Sequence, residues 1–92
     1  MRWKGAAPDA LLWVAWENDF SLYHRDTGET HLLSALPAEL VRQLAGQVMS
    51  TETLAERLAQ LCEVENDAHW QGRIQSLLRD LQALSLVEPL PR

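Results

Sequence analysis

Thr30–Leu44 reads THLLSALPAELVRQL and contains the change of pattern on which the fold turns. Thr30, Leu32 and Ser34 alternate with His31 and Leu33, a short period-two run that predicts extended chain. From Leu36 the pattern changes: Leu36, Leu40, Val41, Leu44 and Val48 fall at helical spacing and put one apolar stripe against a core. Pro37 suits the first turn of that helix, where its missing N–H has no intrahelical partner to lose. Working outward from this joint, everything before it reads as strands and everything after it as helices.

Upstream, Leu11–Trp16 (LLWVAW) predicts a strand. Leu12, Val14 and Trp16 point to one side and Leu11, Trp13 and Ala15 to the other. Both sides are apolar, so the strand is expected to be covered on both faces. Glu17-Asn18-Asp19 is a polar turn. Phe20–His24 is a second strand, with Phe20 and Leu22 toward the core and Ser21 and Tyr23 opposite. Asp26-Thr27-Gly28 is the next turn, Gly28 supplying the positive φ of a tight hairpin. Thr30–Leu33 is the third strand. Short turns make the three an antiparallel meander, because parallel pairs need long crossovers. Met1–Pro8 reads as a loose leader.

Downstream, the first helix is predicted over about Pro37–Val48. The second opens at Ser50 or Thr51, both good N-caps, with Thr53 and Glu56 at capping-box spacing as another start. Its inner stripe is Leu54, Leu58, Leu61 and Cys62. Glu63–Asp67 is a charged loop. Asn66 or Asp67 caps the third helix, which runs to about Leu84 with the stripe Trp70, Ile74, Leu77, Leu78, Leu81 and Leu84. Leu86-Val87 leaves as extended chain, and Pro89 and Pro91 bar further helix. The expectation is one α+β domain, winged-helix-like, with a three-stranded antiparallel β-meander followed by a three-helix bundle. It comprises an N-terminal arm at 1–10, the folded domain at 11–88 and a C-terminal tail at 89–92. Leu40, Leu44, Leu58, Ile74, Leu78 and Leu81 are the expected core.

Composition bounds the function. The chain has 92 residues, is 47% hydrophobic and carries a net charge of −5. That is enough for one core without disulfides or metal, and the charge speaks against nucleic-acid and anionic-membrane partners. Cys62 is the only cysteine and lies on an apolar stripe, so it is expected to be a buried small hydrophobe. No apolar run approaches the roughly 20 residues of a membrane span. Met1-Arg2-Trp3-Lys4 leads into Gly-Ala-Ala-Pro without a signal-peptide core, which predicts a cytoplasmic protein.

No reactive constellation is evident. His24, His31 and His69 have no metal-motif spacing to each other or to Cys62. Glu63, Glu65 and Asp67 alternate as in a calcium loop but lack its glycine and closing glutamate. The serines lack a nucleophile-elbow context. The four tryptophans are expected in core and interface packing. The reading is therefore no enzyme, no metal and no cofactor.

The β-meander ending in THLL, the helix SALPAELVRQL, then STETLAERLAQ and LLRDLQALSLVEPL together resemble the PqqD-like family of peptide chaperones, the recognition elements of ribosomally made, modified peptides. The likeness is strongest to the branch associated with an HPr-kinase-like protein, where a Trp-rich first strand and an HLL-type third strand recur. It covers about residues 11–88. The last helix of such proteins usually stops at Gly and this chain has Ser85, which implies a different helix end. The resemblance implies a non-catalytic domain that holds the leader of a precursor peptide as an added strand and delivers it to a modifying enzyme. Thr30, His31, Leu32 and Leu33 would form the accepting edge. Trp70, Arg73, Leu77 and Leu81 on the third helix would form the other wall.

Two other readings remain open. A winged-helix DNA binder would face DNA with the third helix, which offers Arg73 and Arg79 beside Asp80; Lys4 is the only lysine. A scaffolding subunit would bind a partner enzyme without touching a peptide. Leu11 and Trp13 are expected to meet the N-terminal arm, a partner, or a second copy of the chain in a homodimer.

Overall fold

The computed structural model describes residues 1–91. Its largest departure from expectation is at the N-terminus. Arg2–Gly5 (β1) is not a loose leader but the central strand of a second sheet. It pairs antiparallel with Val48–Ser50 (β5) on one side and Val87–Pro89 (β6) on the other. Trp3 anchors it: the ring is 3% exposed and its indole N–H donates to Thr51 Oγ1 at 2.9 Å. The arm and the tail are thus hydrogen-bonded to each other, Leu90 N–H donating to the Arg2 carbonyl at 2.9 Å.

The meander forms as expected, from Leu11–Ala15 (β2), Phe20–His24 (β3) and Glu29–Leu33 (β4) in the order β2-β3-β4. A 3-10 turn at Pro8–Ala10 joins β1 to β2. Expected coverage on both faces is not found. Leu11, Leu22 and Leu33 turn inward and are buried, whereas Leu12, Val14, Trp16, Tyr23 and Leu32 are exposed on the outer face.

Ala35–Leu44 (α1) ends four residues earlier than predicted. Gly46, at φ +69, turns the chain back, so Val48 enters β5 and is exposed. Thr51–Cys62 (α2) begins at Ser50, whose Oγ accepts from Thr53 N–H at 3.1 Å. Its buried stripe is Leu54, Ala55, Leu58 and Ala59. Leu61 and Cys62 are exposed, contrary to expectation. Both stand in the last turn, beside the left-handed cap at Glu63 where the chain leaves the core. Ala68–Ala83 (α3) is capped by Asp67, whose Oδ1 accepts from Trp70 N–H at 2.9 Å. Trp70, Ile74, Leu78 and Leu81 are its buried face, and Leu84 falls outside the helix, part-exposed at its cap. All six expected core residues are buried, none more than 2% exposed.

The end of α3 corrects a second expectation. Ser85 adopts φ 62, the left-handed conformation a glycine would take. Its N–H donates to Gln82 O at 3.0 Å, and Leu86 N–H donates to Leu81 O at 3.0 Å. That pair of bonds is a Schellman stop, closed by the packing of buried Leu81 and Leu86 in one core. The geometry holds although the residue is wrong for it, because Leu86 and Val87 must enter the core at that point. Ser85→Gly is therefore expected to raise stability by about 1 kcal/mol, read as a higher denaturant midpoint with an unchanged slope.

Candidate strand-edge site

Which backbone groups β4 offers follows from two hydrogen bonds at the rims of the sheet. Arg25 N–H donates to the Ala10 carbonyl and Trp16 N–H to the Asp19 carbonyl, both at 2.8 Å. In an antiparallel ladder, bonded and non-bonded pairs alternate. Ser21 and Tyr23 must therefore turn their backbone groups toward β2, and Phe20, Leu22 and His24 toward β4. The register pairs Phe20 with Leu33, Leu22 with His31, and His24 with Glu29. Glu29, His31 and Leu33 are thus bonded back to β3. The N–H and C=O groups of Thr30 and Leu32 face outward along an edge with no neighbouring strand among the described residues. An edge of this kind is a template for another strand. By the same alternation, β2 leaves Leu11, Trp13 and Ala15 open on the opposite edge.

The side chains of β4 divide the other way. Thr30 and Leu32 lie on the exposed outer face with Leu12, Val14 and Tyr23. Trp16 closes that face, its indole N–H donating to Ser21 Oγ at 2.6 Å. His31 and Leu33 lie on the inner face. There the cross-strand row Trp13, Leu22, His31 runs beside the row Ala15, Phe20, Leu33. Arg42 of α1 fills the space over these rows. Its guanidinium carbon stands 4.5 Å from the Trp13 ring centroid and 4.4 Å from that of Phe20, and it is paired with Glu39 at 3.5 Å. Leu11 is buried and Trp13 is half-covered by Arg42. Within the meander, the exposed large apolar residues are those of the outer face.

On α3, Trp70 is 7% exposed and its indole N–H donates to the Ala55 carbonyl of α2 at 2.8 Å. Leu81 is buried and Leu77 half-buried against the core. Arg73 is exposed, its guanidinium carbon 6.0 Å from the Trp70 ring centroid. Helical spacing puts Arg73 and Leu77 on one flank of the buried stripe. Gln71 and Gln75 occupy the other flank, where they line a cleft of 340 Å³ with the start of α2. Leu33, Trp70 and Leu81 belong to one buried cluster, and the helix that packs on β4 is α1. The accessible candidates are Thr30, Leu32, Arg73 and, in part, His31 and Leu77. A separate cleft of 440 Å³ is bounded by β1, β6, the end of α3 and the β3–β4 turn; it contains none of the candidate residues.

Sequence reasoning missed Glu29, which opens β4 and brings its carboxylate to 3.8 Å from His31 Nε2. It also missed the Trp13–Arg42–Phe20 stack. The Glu39/Arg42 spacing was a visible signal for the first part of that stack; its aromatic partners lie too far off in sequence to be paired by inspection. Among the described residues, no three His, Cys, Asp or Glu side chains converge as a metal site would require. No described helix is long and apolar enough to cross a membrane.

No family model matches the chain, and no curated protein matches it. A solved structure does: TbiB1 in complex with the TbiA(beta) leader peptide. It is 19% identical, superposes with a TM-score of 0.66, and the alignment covers 95% of this chain and 99% of that one. The likeness covers nearly the whole of both chains and establishes a shared fold.

Proposed function

We propose that this protein is a non-catalytic peptide-binding module, a PqqD-like recognition element. It takes the leader of a ribosomally made precursor peptide as an added strand on β4 and presents it to a modifying enzyme. The HPr-kinase-like protein of the resembled branch is the first candidate for that enzyme. The observation that carries the proposal is the open edge of β4, with the Thr30 and Leu32 backbone groups directed away from β3. Further support comes from the fold shared with a protein solved with a leader peptide bound. Strand addition uses such an edge for affinity and the alternating side chains of the peptide for specificity. Leu32 adds apolar surface outside, Leu77 adds it at the helix flank, and Arg73 gives a donor fork for a peptide carboxylate.

The test is a titration of isotope-labelled protein with the leader of a precursor encoded beside this gene, following backbone amides. The expected result is slowed exchange and shifted resonances at Thr30 and Leu32, with smaller changes at Arg73–Leu77. Affinity should be micromolar or tighter and weakly salt-dependent, since one or two charges take part. Changes centred on Leu11–Ala15 with β4 silent would move the partner to the other edge. Tight duplex DNA binding in a low-salt gel shift would instead favour the regulator reading.

A further inference from the structure

One polar atom in the inner face has no explanation within the chain. His31 Nε2 is buried without a hydrogen-bond partner among the described residues. Its side chain is only 9% exposed, and the Glu29 carboxylate, at 3.8 Å, stands beyond hydrogen-bond length. Burying such a group unpaired is destabilising. A leucine there would continue the row of Trp13 and Leu22. The imidazole costs stability where it stands, so its use is elsewhere.

Its position in the ladder says where. His31 is bonded back to β3, so toward the open edge it occupies a non-hydrogen-bonded position. In an antiparallel added strand, the residue opposite such a position comes closest, with Cα atoms about 4.5 Å apart. Its side chain falls on the same face as His31, because directly opposed residues share a face. One peptide side chain is thus delivered beside the unpaired nitrogen.

Resting on the strand-addition reading above, we propose that His31 is the specificity-determining residue of the edge and selects a peptide residue with a hydroxyl or carboxamide side chain. An imidazole nitrogen donates or accepts according to its tautomer, so an incoming group able to do both satisfies Nε2 in either case. The same group lies within reach of Glu29 and gains most if it also donates to that carboxylate. Hydroxyls and carboxamides do both. A peptide carboxylate would meet Glu29 as a like charge, and the nearest inner-face cation, Arg42, is already paired with Glu39. An aliphatic residue would leave His31 Nε2 unsatisfied.

The experiment is selection of a displayed library of random dodecapeptides on the wild-type protein, on His31→Leu and on His31→Gln. Binders are kept only where they protect the Thr30 and Leu32 amides. Wild-type binders are expected to share one Ser, Thr, Asn or Gln position, and exchanging that residue for Ala or Val should weaken binding about tenfold. With His31→Leu the same exchange should have less than about a twofold effect, while His31→Gln keeps the preference. His31→Leu should also melt a few degrees higher than wild type, as expected when an unsatisfied buried group is replaced by an apolar one. An unchanged preference in His31→Leu, or a lower melting point for it, overturns the assignment of His31 and leaves strand addition standing. Failure of every binder to protect Thr30 and Leu32 overturns strand addition itself, and this inference with it.

Discussion

Gly5→Ala is expected to destabilise the domain by roughly 3 kcal/mol or more, lowering the melting point by about 10–20 °C. Gly5 ends β1 where that strand crosses the end of α1. A β-carbon there would collide with the Leu44 carbonyl oxygen and lie 2.6 Å from its carbon. Both are backbone atoms, so no rotamer change relieves the clash. Relief requires moving β1 away from α1, yet β1 is held on both sides, paired with β5 and β6. Gly5 N–H also donates to the Gln47 carbonyl at 3.2 Å, a bond that the displacement would stretch. A loss of this size is a large share of the 5–15 kcal/mol typical of a domain. Gly72→Ala is the internal control: an added β-carbon meets nothing within 4 Å, and the site lies inside α3. Helix propensity alone then predicts a gain of about 1 kcal/mol. Thermal melts of the two variants should move in opposite directions; a Gly5→Ala protein as stable as wild type would mean β1 does not sit against Leu44.

The same contact explains what the sequence conceals. The meander and the three helices were legible because each rests on local signals: alternation in Phe20–His24, the proline in the first turn of α1, and the serine and aspartate caps of α2 and α3. The second sheet was not. β1 has four residues, and β5 and β6 have three each, too short for a period to show. Their pairing joins positions far apart in the chain, Trp3 with Met49 across about half of it and with Pro89 across nearly all of it. Trp3 and Gly5 carried the only hints, an aromatic ring and a missing side chain, and neither names its partner. The error at Val48 arose where a helical stripe was continued past Gly46, whose left-handed φ turned the chain away; Leu61 and Cys62 lie within α2 but in its last turn, where the helix runs out beyond the core.

For the candidate site, the strand could be placed from sequence but the roles of its residues could not. Period two puts Thr30 and Leu32 on one face and His31 and Leu33 on the other. It does not say which backbone groups face outward; that required the two rim bonds at Arg25 and Trp16. Nor does it show that the His31 nitrogen lacks a partner, since that depends on every element packed around it.

Trp70→Ala is expected to cost about 3–5 kcal/mol, with the loss falling on folding and not on ligand affinity. The indole is 7% exposed, lies at the α2–α3 contact and donates to the Ala55 carbonyl at 2.8 Å. Truncation removes a large apolar body from the cluster that also holds Leu54, Leu58 and Ile74, and the main chain of two capped helices has little freedom to close the gap. Trp70→Phe separates the two contributions: it keeps most of the apolar body and loses the hydrogen bond, for about 1 kcal/mol. The Ala55 carbonyl lies within α2, where it also accepts from an N–H one turn further along the helix, so the phenylalanine variant leaves no stranded group behind. Because Trp70→Phe remains folded, it also reports on the groove. If the ring serves the core, peptide affinity of the folded variant stays within about twofold of wild type, while Leu77→Ala, on the accessible flank, weakens binding by about fivefold or more for lost apolar contact. Should Trp70→Phe instead retain full stability and lose the peptide, the indole N–H would have to be read as a ligand contact, and the accessible wall of the site would extend inward along α3 from Leu77 to Trp70.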